Sequence, residues 1–193
     1  MENRQKNVDL AKVAEGVRLI LEGLGENPER EGLQRTPERV AQMYAELTAG
    51  RWLDAAAELT PLPGEDFEQI VLVKDISLAS LCEHHLAPFT GRCHIAYIPQ
   101  AGRVVGLSKL AQLTDIFARR LQVQERLTTD IAGALQENLQ PLGVLVIIEA
   151  EHTCMTMRGV KKPGAVTVTS VALGAFKTDA AALAQVMAML KLA

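Results

Sequence analysis

The chain has 193 residues, a formal net charge of −3 and a pI near 5.8, so it lacks the basic excess typical of nucleic-acid binding. Hydrophobic residues make up 48% of the sequence, enough for the core of one domain, but no apolar run approaches the roughly 18 residues of a membrane span. The N-terminal stretch MENRQKNVDLAKVAEG has no apolar signal-peptide core, and three cysteines in such a chain favour a reducing cytoplasm with thiols that are free or bound to metal.

The first third of the chain predicts helices joined by charged and Pro/Gly-rich segments. Apolar residues at helical spacing predict a helix over about 8–24. Thr36-Pro37 predicts an N-cap residue followed by the first residue of a second helix, over about 37–48. The following residues, TAGRWLDAAAELTPLPGEDFE, predict an irregular segment. We interpret residues 1–65 as an N-terminal helical extension.

From about residue 68 the chain is rich in β-branched residues, which predict strands in QIVLVKDISLASL, RCHIAYIP and RVVGL. Ser108 is predicted to cap a helix with an apolar face, and a second helix runs from about Leu127 to Leu139. Two more strands follow, GVLVIIEAEHTCMTM and AVTVTSVALGAF, before a final helix that Thr178 or Asp179 opens. Residues 66–193 therefore predict an α+β domain with an antiparallel sheet and helices packed on one face.

Five potential metal ligands or proton carriers lie in two short stretches, SLCEHHLAPFTG and EAEHTCMTMRG. Cys82 and His85 have the spacing by which one turn presents two ligands to one zinc ion. His152 and Cys154, two residues apart on a predicted strand, would share one face, and either could complete the site. With His84 the chain offers more candidates than the three that a catalytic zinc needs, which indicates a metal-activated water with imidazoles beside it.

Each of these residues taken singly is typical of ordinary structure, because a lone cysteine is usually a small buried apolar residue. Cys93 and His94 provide a comparison. They are adjacent on a predicted strand and point to opposite faces, so they cannot easily share one ion. We interpret Cys93 as core and His94 as sheet surface.

Five motifs in one order, SLCEHHLAPFTG, AYIP, GLSKL, QVQERLT and HTCMTMRGVKKPG, resemble GTP cyclohydrolase I over about residues 73–176. TPERVAQMYAEL is similar more weakly. The resemblance implies a tunnelling fold, in which sheets of several subunits form a barrel. It also implies a homodecamer with active sites at subunit interfaces. The implied reaction converts GTP and water into formate and 7,8-dihydroneopterin triphosphate, the first step of folate and pterin synthesis.

The resemblance also implies a role for each residue of the cluster. Cys82, His85 and Cys154 are similar to the zinc ligands of the family, and His84 and His152 are similar to its acid–base pair. Histidine suits the proton transfers to a purine nitrogen and to the ribose oxygen that this ring opening needs.

Substrate contacts are implied in the same way. Glu125 would accept two hydrogen bonds from guanine N1–H and the exocyclic amine, and Gln124 would meet the O6 side. The alternative is that both residues belong to the start of a helix, where acidic residues are favoured. The candidates for the triphosphate are Ser108, Lys109, Arg158 and Arg39.

Two positions depart from the family pattern, which usually has basic residues where this chain has Gln42 and Gln112. A neutral amide brings no charge to a phosphate, so a paralogue acting on a less phosphorylated guanine nucleotide is one alternative. Another is a relative of the same fold with different pterin or deazapurine chemistry, although such relatives do not carry CEHH with a distant HTC. A third is a non-catalytic assembly module whose structural zinc is closed by His152 as a fourth ligand.

Overall fold

The computed structural model describes residues 8–63 and 69–191, and it confirms the two N-terminal helices. Helix α1 spans Leu10–Gly23 and packs against α2, Thr36–Leu47. The Asp9 side chain caps α1 by accepting a hydrogen bond from the Lys12 backbone N–H at 2.9 Å. Thr36 is not the N-cap residue of α2 as predicted. It is the first helical residue, with Pro37 next to it, and no side chain caps this helix.

Short elements occupy the segment for which an irregular chain is predicted. They are a 3-10 helix, Ala49–Trp52, the one-turn helix α3, Ala55–Glu58, and the strand β1, Leu62–Pro63. Leu59 is only 1% exposed and belongs to the main hydrophobic core, so the N-terminal segment contributes to that core. The predicted boundary between residues 65 and 66 falls in 64–68, outside the described residues.

The remaining elements form a mixed sheet with its connecting helices, except for β4, which pairs with β1 in a separate two-stranded sheet. In chain order they are β2 Val71–Cys82, β3 Pro88–Ile98, β4 Arg103–Val104, α4 Leu107–Ala118, β5 Leu121–Gln122, α5 Gln124–Leu139, β6 Gly143–His152, α6 Thr153–Thr156, β7 Val166–Gly174, α7 Ala175–Thr178 and α8 Ala180–Leu190. Five strands lie in the order β5-β2-β3-β6-β7. All neighbours are antiparallel except β5, which pairs in parallel with β2, so the predicted antiparallel sheet is mixed.

Helices cover both faces of the sheet, which corrects the expectation of one face. Alternate residues of β3 and β6 point to opposite sides, and they divide the buried apolar residues into two clusters. The larger cluster contains Cys93 and Ile95 with the apolar sides of α4 and α5. The smaller contains Ala96 and Leu145 with α7 and α8. Among the described helices, none has both the length and the apolar character needed to cross a bilayer.

Two further helix starts test the predictions. The residue before α4 is Gly106, and Ser108 is already helical, so the predicted serine cap is wrong. The Asp179 carboxylate accepts hydrogen bonds from the backbone N–H groups of Ala181 and Ala182, which confirms the predicted start of α8. Ser108 nevertheless lies in the first turn of α4, and it is exposed there.

Candidate metal centre and its surroundings

Three predicted ligands converge at one end of the sheet. Cys82 ends β2, His85 lies in the turn that follows, and Cys154 lies in α6. Their ligand atoms are all within 4.8 Å of one another. Two sulfurs about 2.3 Å from a tetrahedral ion would be about 3.8 Å apart, so small side-chain shifts would complete the geometry. Two thiolates and an imidazole are the donor set that zinc prefers, and the residues present therefore fit this metal.

Local hydrogen bonds hold the turn that carries His85. The backbone N–H groups of His85 and Leu86 both donate to the Cys82 carbonyl, at 3.3 and 2.9 Å. Leu86 has a positive φ of 52°, and the Cys82 N–H donates to the Ala87 carbonyl at 2.9 Å. The chain thereby reverses direction within a few residues, and this reversal brings His85 back toward the Cys82 thiol.

Cys154 reaches the site by a route that differs from the predicted one. Strand β6 ends at His152, and residues 153–156 form one helical turn, so His152 and Cys154 do not share a strand face. The Thr153 hydroxyl donates to the Pro88 carbonyl at 2.6 Å, which ties this turn to the start of β3. The helical turn, rather than strand alternation, places the Cys154 thiol beside Cys82.

The electrostatics of the two thiols suit a cation. Burial raises the pKa of Cys154, and the neighbouring Cys82 sulfur raises it further, while Arg158 opposes both effects. Two thiolates side by side repel each other, so this arrangement disfavours the doubly ionised state of the protein alone. A divalent cation would instead favour the doubly ionised state, because the thiolate is the form of cysteine that binds metal.

His84 lies next to this group but is not part of it. Its Nδ1 is 3.8 Å from the Cys82 sulfur, and its ring lies edge-on to that of His85 with centroids 6.4 Å apart. The side chain is exposed, so solvent or a ligand can reach its imidazole.

His152 is held away from the ligand group by contacts of its own. Its ring stacks on Phe89 with centroids 4.4 Å apart and planes 12° apart, and the two residues face each other across β6 and β3. Its Nε2 lies 2.8 Å from Gln124 Oε1. Burial lowers the pKa of His152, and the Glu125 charge partly offsets that effect. Within residues 8–63 and 69–191, the only His/Cys/Asp/Glu group that could hold a metal does not include His152.

Gln124 is 1% exposed, and protein groups engage both ends of its amide. The amide nitrogen donates to the carbonyl oxygens of Ile148 and Thr167, each at 3.0 Å, and the amide oxygen faces His152. A contact between Gln124 and the nucleobase would require these bonds to break. Glu125, one residue later, is exposed in the first turn of α5.

Lys109, Arg158 and Arg39, the other predicted substrate residues, lie in different surroundings. Lys109 forms an ion pair with Glu58 at 2.8 Å. Arg158 is exposed and acts electrostatically on Cys154, as described above. Arg39 lines a cavity of about 1080 Å³ together with Gln42 and Gln112. That cavity lies between α2, the 3-10 helix and α4, and none of its lining residues is a candidate metal ligand.

One ion pair beside the metal turn has no counterpart in the predictions. The Arg126 guanidinium binds the Glu83 carboxylate, and this hydrogen bond lowers the pKa of Glu83. Arg126 also donates to the Gln122 side chain at 2.9 Å. The pair links α5 to the turn between Cys82 and His85. An acidic residue inside CEHH and an arginine after Glu125 were the only signals in the sequence, and neither indicates this pairing.

Comparisons of the sequence with known proteins show similarity over nearly the whole chain. A family model described as GTP cyclohydrolase I matches residues 13–191. "GTP cyclohydrolase 1" of Halalkalibacterium halodurans is 55% identical over 184 residues, which cover 95% of this chain and 98% of that protein. The protein of the same name from Carboxydothermus hydrogenoformans is 56% identical and covers 95% of each chain. A solved structure, the archaeosine synthase QueF-Like in the apo form, matches 54% of this chain and 93% of its own at 16% identity, with a TM-score of 0.43.

Proposed function

The chain belongs to the GTP cyclohydrolase I family, and we propose that it opens the imidazole ring of GTP at C8, releases formate and forms 7,8-dihydroneopterin triphosphate. The observation that carries this proposal is the convergence of Cys82, His85 and Cys154, while His84 and His152 lie outside this ligand group. Three ligands leave one position of a tetrahedral zinc for water or substrate, whereas a structural site uses four.

Zinc bound there would supply Lewis acidity and lower the pKa of a coordinated water toward neutrality. The side chains of the protein then transfer protons and orient the substrate. C8 of guanine becomes electrophilic when N7 is protonated, and in this proposal His84, whose Nδ1 is 3.8 Å from the Cys82 sulfur, delivers that proton. His152 provides a second imidazole for the ring-opening and ribose steps.

Recognition of the base and of the phosphates is assigned to four charged residues and one serine. The exposed Glu125 carboxylate accepts from guanine N1–H and its amino group, a donor pair that adenine lacks. Ser108, Lys109, Arg158 and Arg39 contact the triphosphate. For Lys109 this requires exchange of its ion pair with Glu58 for the nucleotide.

The proposal includes a homo-oligomer, of the decameric type that the family resemblance implies, with sites at subunit interfaces. It also includes a cytoplasmic location, because metal-binding thiolates persist in a reducing compartment. The tunnelling fold is supported by the α+β architecture with its five-stranded sheet.

The experiment is incubation of zinc-loaded protein with GTP, with formate and oxidised pterin fluorescence measured together. We expect the two products in equal amounts. Replacement of His84 by Ala should leave zinc bound and abolish turnover, whereas Cys154→Ala should lose both. Release of zinc by the His84→Ala variant would show that the division between ligands and proton carriers is wrong.

A second candidate substrate is supported by one observation. Gln42 and Gln112 line one cavity with Arg39, and neither glutamine carries the charge that the family usually places there. Each lost charge-assisted contact would weaken binding by about 1.5–3 kcal/mol if nothing replaced it. Comparison of kcat/KM for GTP, GDP and GMP separates the two candidates, and a GTP preference of several hundredfold would exclude the less phosphorylated substrate.

A further inference from the structure

Gln124 is buried beside His152, and the direction of every hydrogen bond that it makes can be assigned. A side-chain amide has one oxygen that accepts and one nitrogen that donates two hydrogens. The carbonyl oxygens of Ile148 and Thr167 can only accept, and both lie 3.0 Å from the same amide atom. That atom is therefore the nitrogen, and the oxygen must face the imidazole of His152.

Two threonine hydroxyls agree with this orientation. The Thr128 hydroxyl donates to the backbone carbonyl of Gln124 at 2.7 Å, so its oxygen accepts from the Thr169 hydroxyl at 2.6 Å. The Thr169 oxygen lies 3.2 Å from the Gln124 amide nitrogen, as a third acceptor that shares one of its two hydrogens with a carbonyl. The opposite amide orientation would place an acceptor against two carbonyl oxygens, at the cost of unsatisfied buried groups.

The same reasoning assigns the proton on the imidazole. Gln124 Oε1 has no hydrogen to donate, and His152 Nε2 lies 2.8 Å from it. Nε2 must therefore carry the hydrogen, and a neutral His152 keeps its lone pair on Nδ1. The stacked Phe89 ring restricts tilting of the imidazole plane, and a flip within that plane would replace Nε2 by a carbon and lose the bond to Gln124.

We infer that Gln124 is a positioning residue that holds the neutral imidazole of His152 as the Nε2–H tautomer, with Nδ1 as the nitrogen that carries the lone pair. This inference rests on the proposed function for its kinetic consequence, although not for the tautomer itself. We propose this role in place of the predicted contact between Gln124 and the nucleobase, because the amide already bonds to protein groups at both ends.

The direct test is magic-angle-spinning NMR of full-length, zinc-loaded protein with 15N-labelled histidine, at a pH where the imidazoles are neutral. The spectrum distinguishes a protonated from an unprotonated ring nitrogen. His94 is an internal reference, because the Asp75 backbone N–H donates to its Nδ1 at 3.1 Å and fixes the same tautomer without Gln124. A His152→Asn spectrum assigns the His152 signals.

The variant is Gln124→Met, which keeps most of the side-chain volume and removes the acceptor. Its matched control is Thr169→Val, which disturbs the same network and leaves Gln124 Oε1 in place. We expect the Nε2–H form of His152 in the wild type and in the control, a mixture of tautomers in Gln124→Met, and unchanged His94 signals. For GTP turnover, Gln124→Met should lower kcat by about 100-fold with KM changed by less than about threefold.

Several outcomes would overturn the inference. An Nδ1–H wild-type His152, or a Gln124→Met spectrum like the wild type, refutes the tautomer assignment. A variant that raises KM and spares kcat would make Gln124 a substrate contact, and equal kcat losses in both variants would make its role merely structural. If Gln124→Met does not fold, the wild-type spectrum alone decides. If the wild type does not hydrolyse GTP, the proposed function fails while the spectra still test the tautomer.

Discussion

Removal of the metal should make two of the three cysteines reactive toward thiol reagents and leave the third unreactive. Cys93 is fully buried, and burial raises the pKa of its thiol from 9.0 to about 12. At pH 8 its thiolate fraction is then about 1000-fold smaller than that of an ordinary thiol. Cys82 and Cys154 have their ligand atoms within 4.8 Å of each other and would both be shielded as thiolates bound to zinc.

The assay is titration with Ellman's reagent before and after chelation. Zinc-loaded protein should release almost no thionitrobenzoate. After chelation the reagent should attack Cys154, which is more exposed than Cys82, and the Cys82 thiol should then displace the second thionitrobenzoate. We expect two equivalents per chain and a disulfide that lowers the protein mass by about 2 Da.

Variants make this result specific. Cys93→Ala should still release two equivalents, whereas Cys154→Ala should release at most one and only slowly. Three equivalents from folded wild-type protein would refute the burial argument for Cys93. Two equivalents that appear equally fast with and without zinc would refute the proposed ligand set.

Three further outcomes follow from particular contacts. Arg126→Met, which frees Glu83 inside the metal turn, should weaken zinc affinity about tenfold in a competition titration, while Arg92→Met, at an ion pair elsewhere on the sheet, should not. Arg92 lowers the pKa of Asp75 through a hydrogen bond, so this pair stabilises the fold above the ordinary pKa of 3.8 and loses its effect as the pH falls through the lowered value. Acid unfolding followed by circular dichroism should therefore show a smaller loss of stability below pH 3.8 in Arg92→Met than in the wild type. Gly91→Ala would place a Cβ against the backbone of β6, and chemical denaturation should show a loss of about 2 kcal/mol, with an unchanged value contradicting the close approach.

The sequence predicted the long elements well, because their apolar periodicity is strong. Helices α1 and α5 and strands β3 and β6 lie where the pattern indicates them. Strand β5 has two residues and pairs in parallel with β2, and so short a segment has no periodicity to detect. The covering of both sheet faces was also missed, since an Ala/Leu/Met helix such as α8 has no polar face that shows which side it packs on.

The candidate metal site could be predicted because its ligands are clustered and chemically distinctive. The local structure of this site could not be predicted, because the turn at Thr153 is fixed by a hydrogen bond to Pro88, 65 residues away. The role of Gln124 was hidden for the same reason. Its partners lie 24 to 45 residues further along the chain, and only the pairing of β6 with β7 brings them to one place.

The most direct test of the proposed reaction follows C8 of guanine, the carbon that should be released as formate. Zinc-loaded protein is incubated with GTP labelled with 13C at C8, and the products are observed by NMR. We predict that the label appears as formate in an amount equal to the pterin formed, and that chelation of the metal stops its release. Label that stays in a purine or pterin ring, or formate that appears equally without metal, would contradict the proposed reaction.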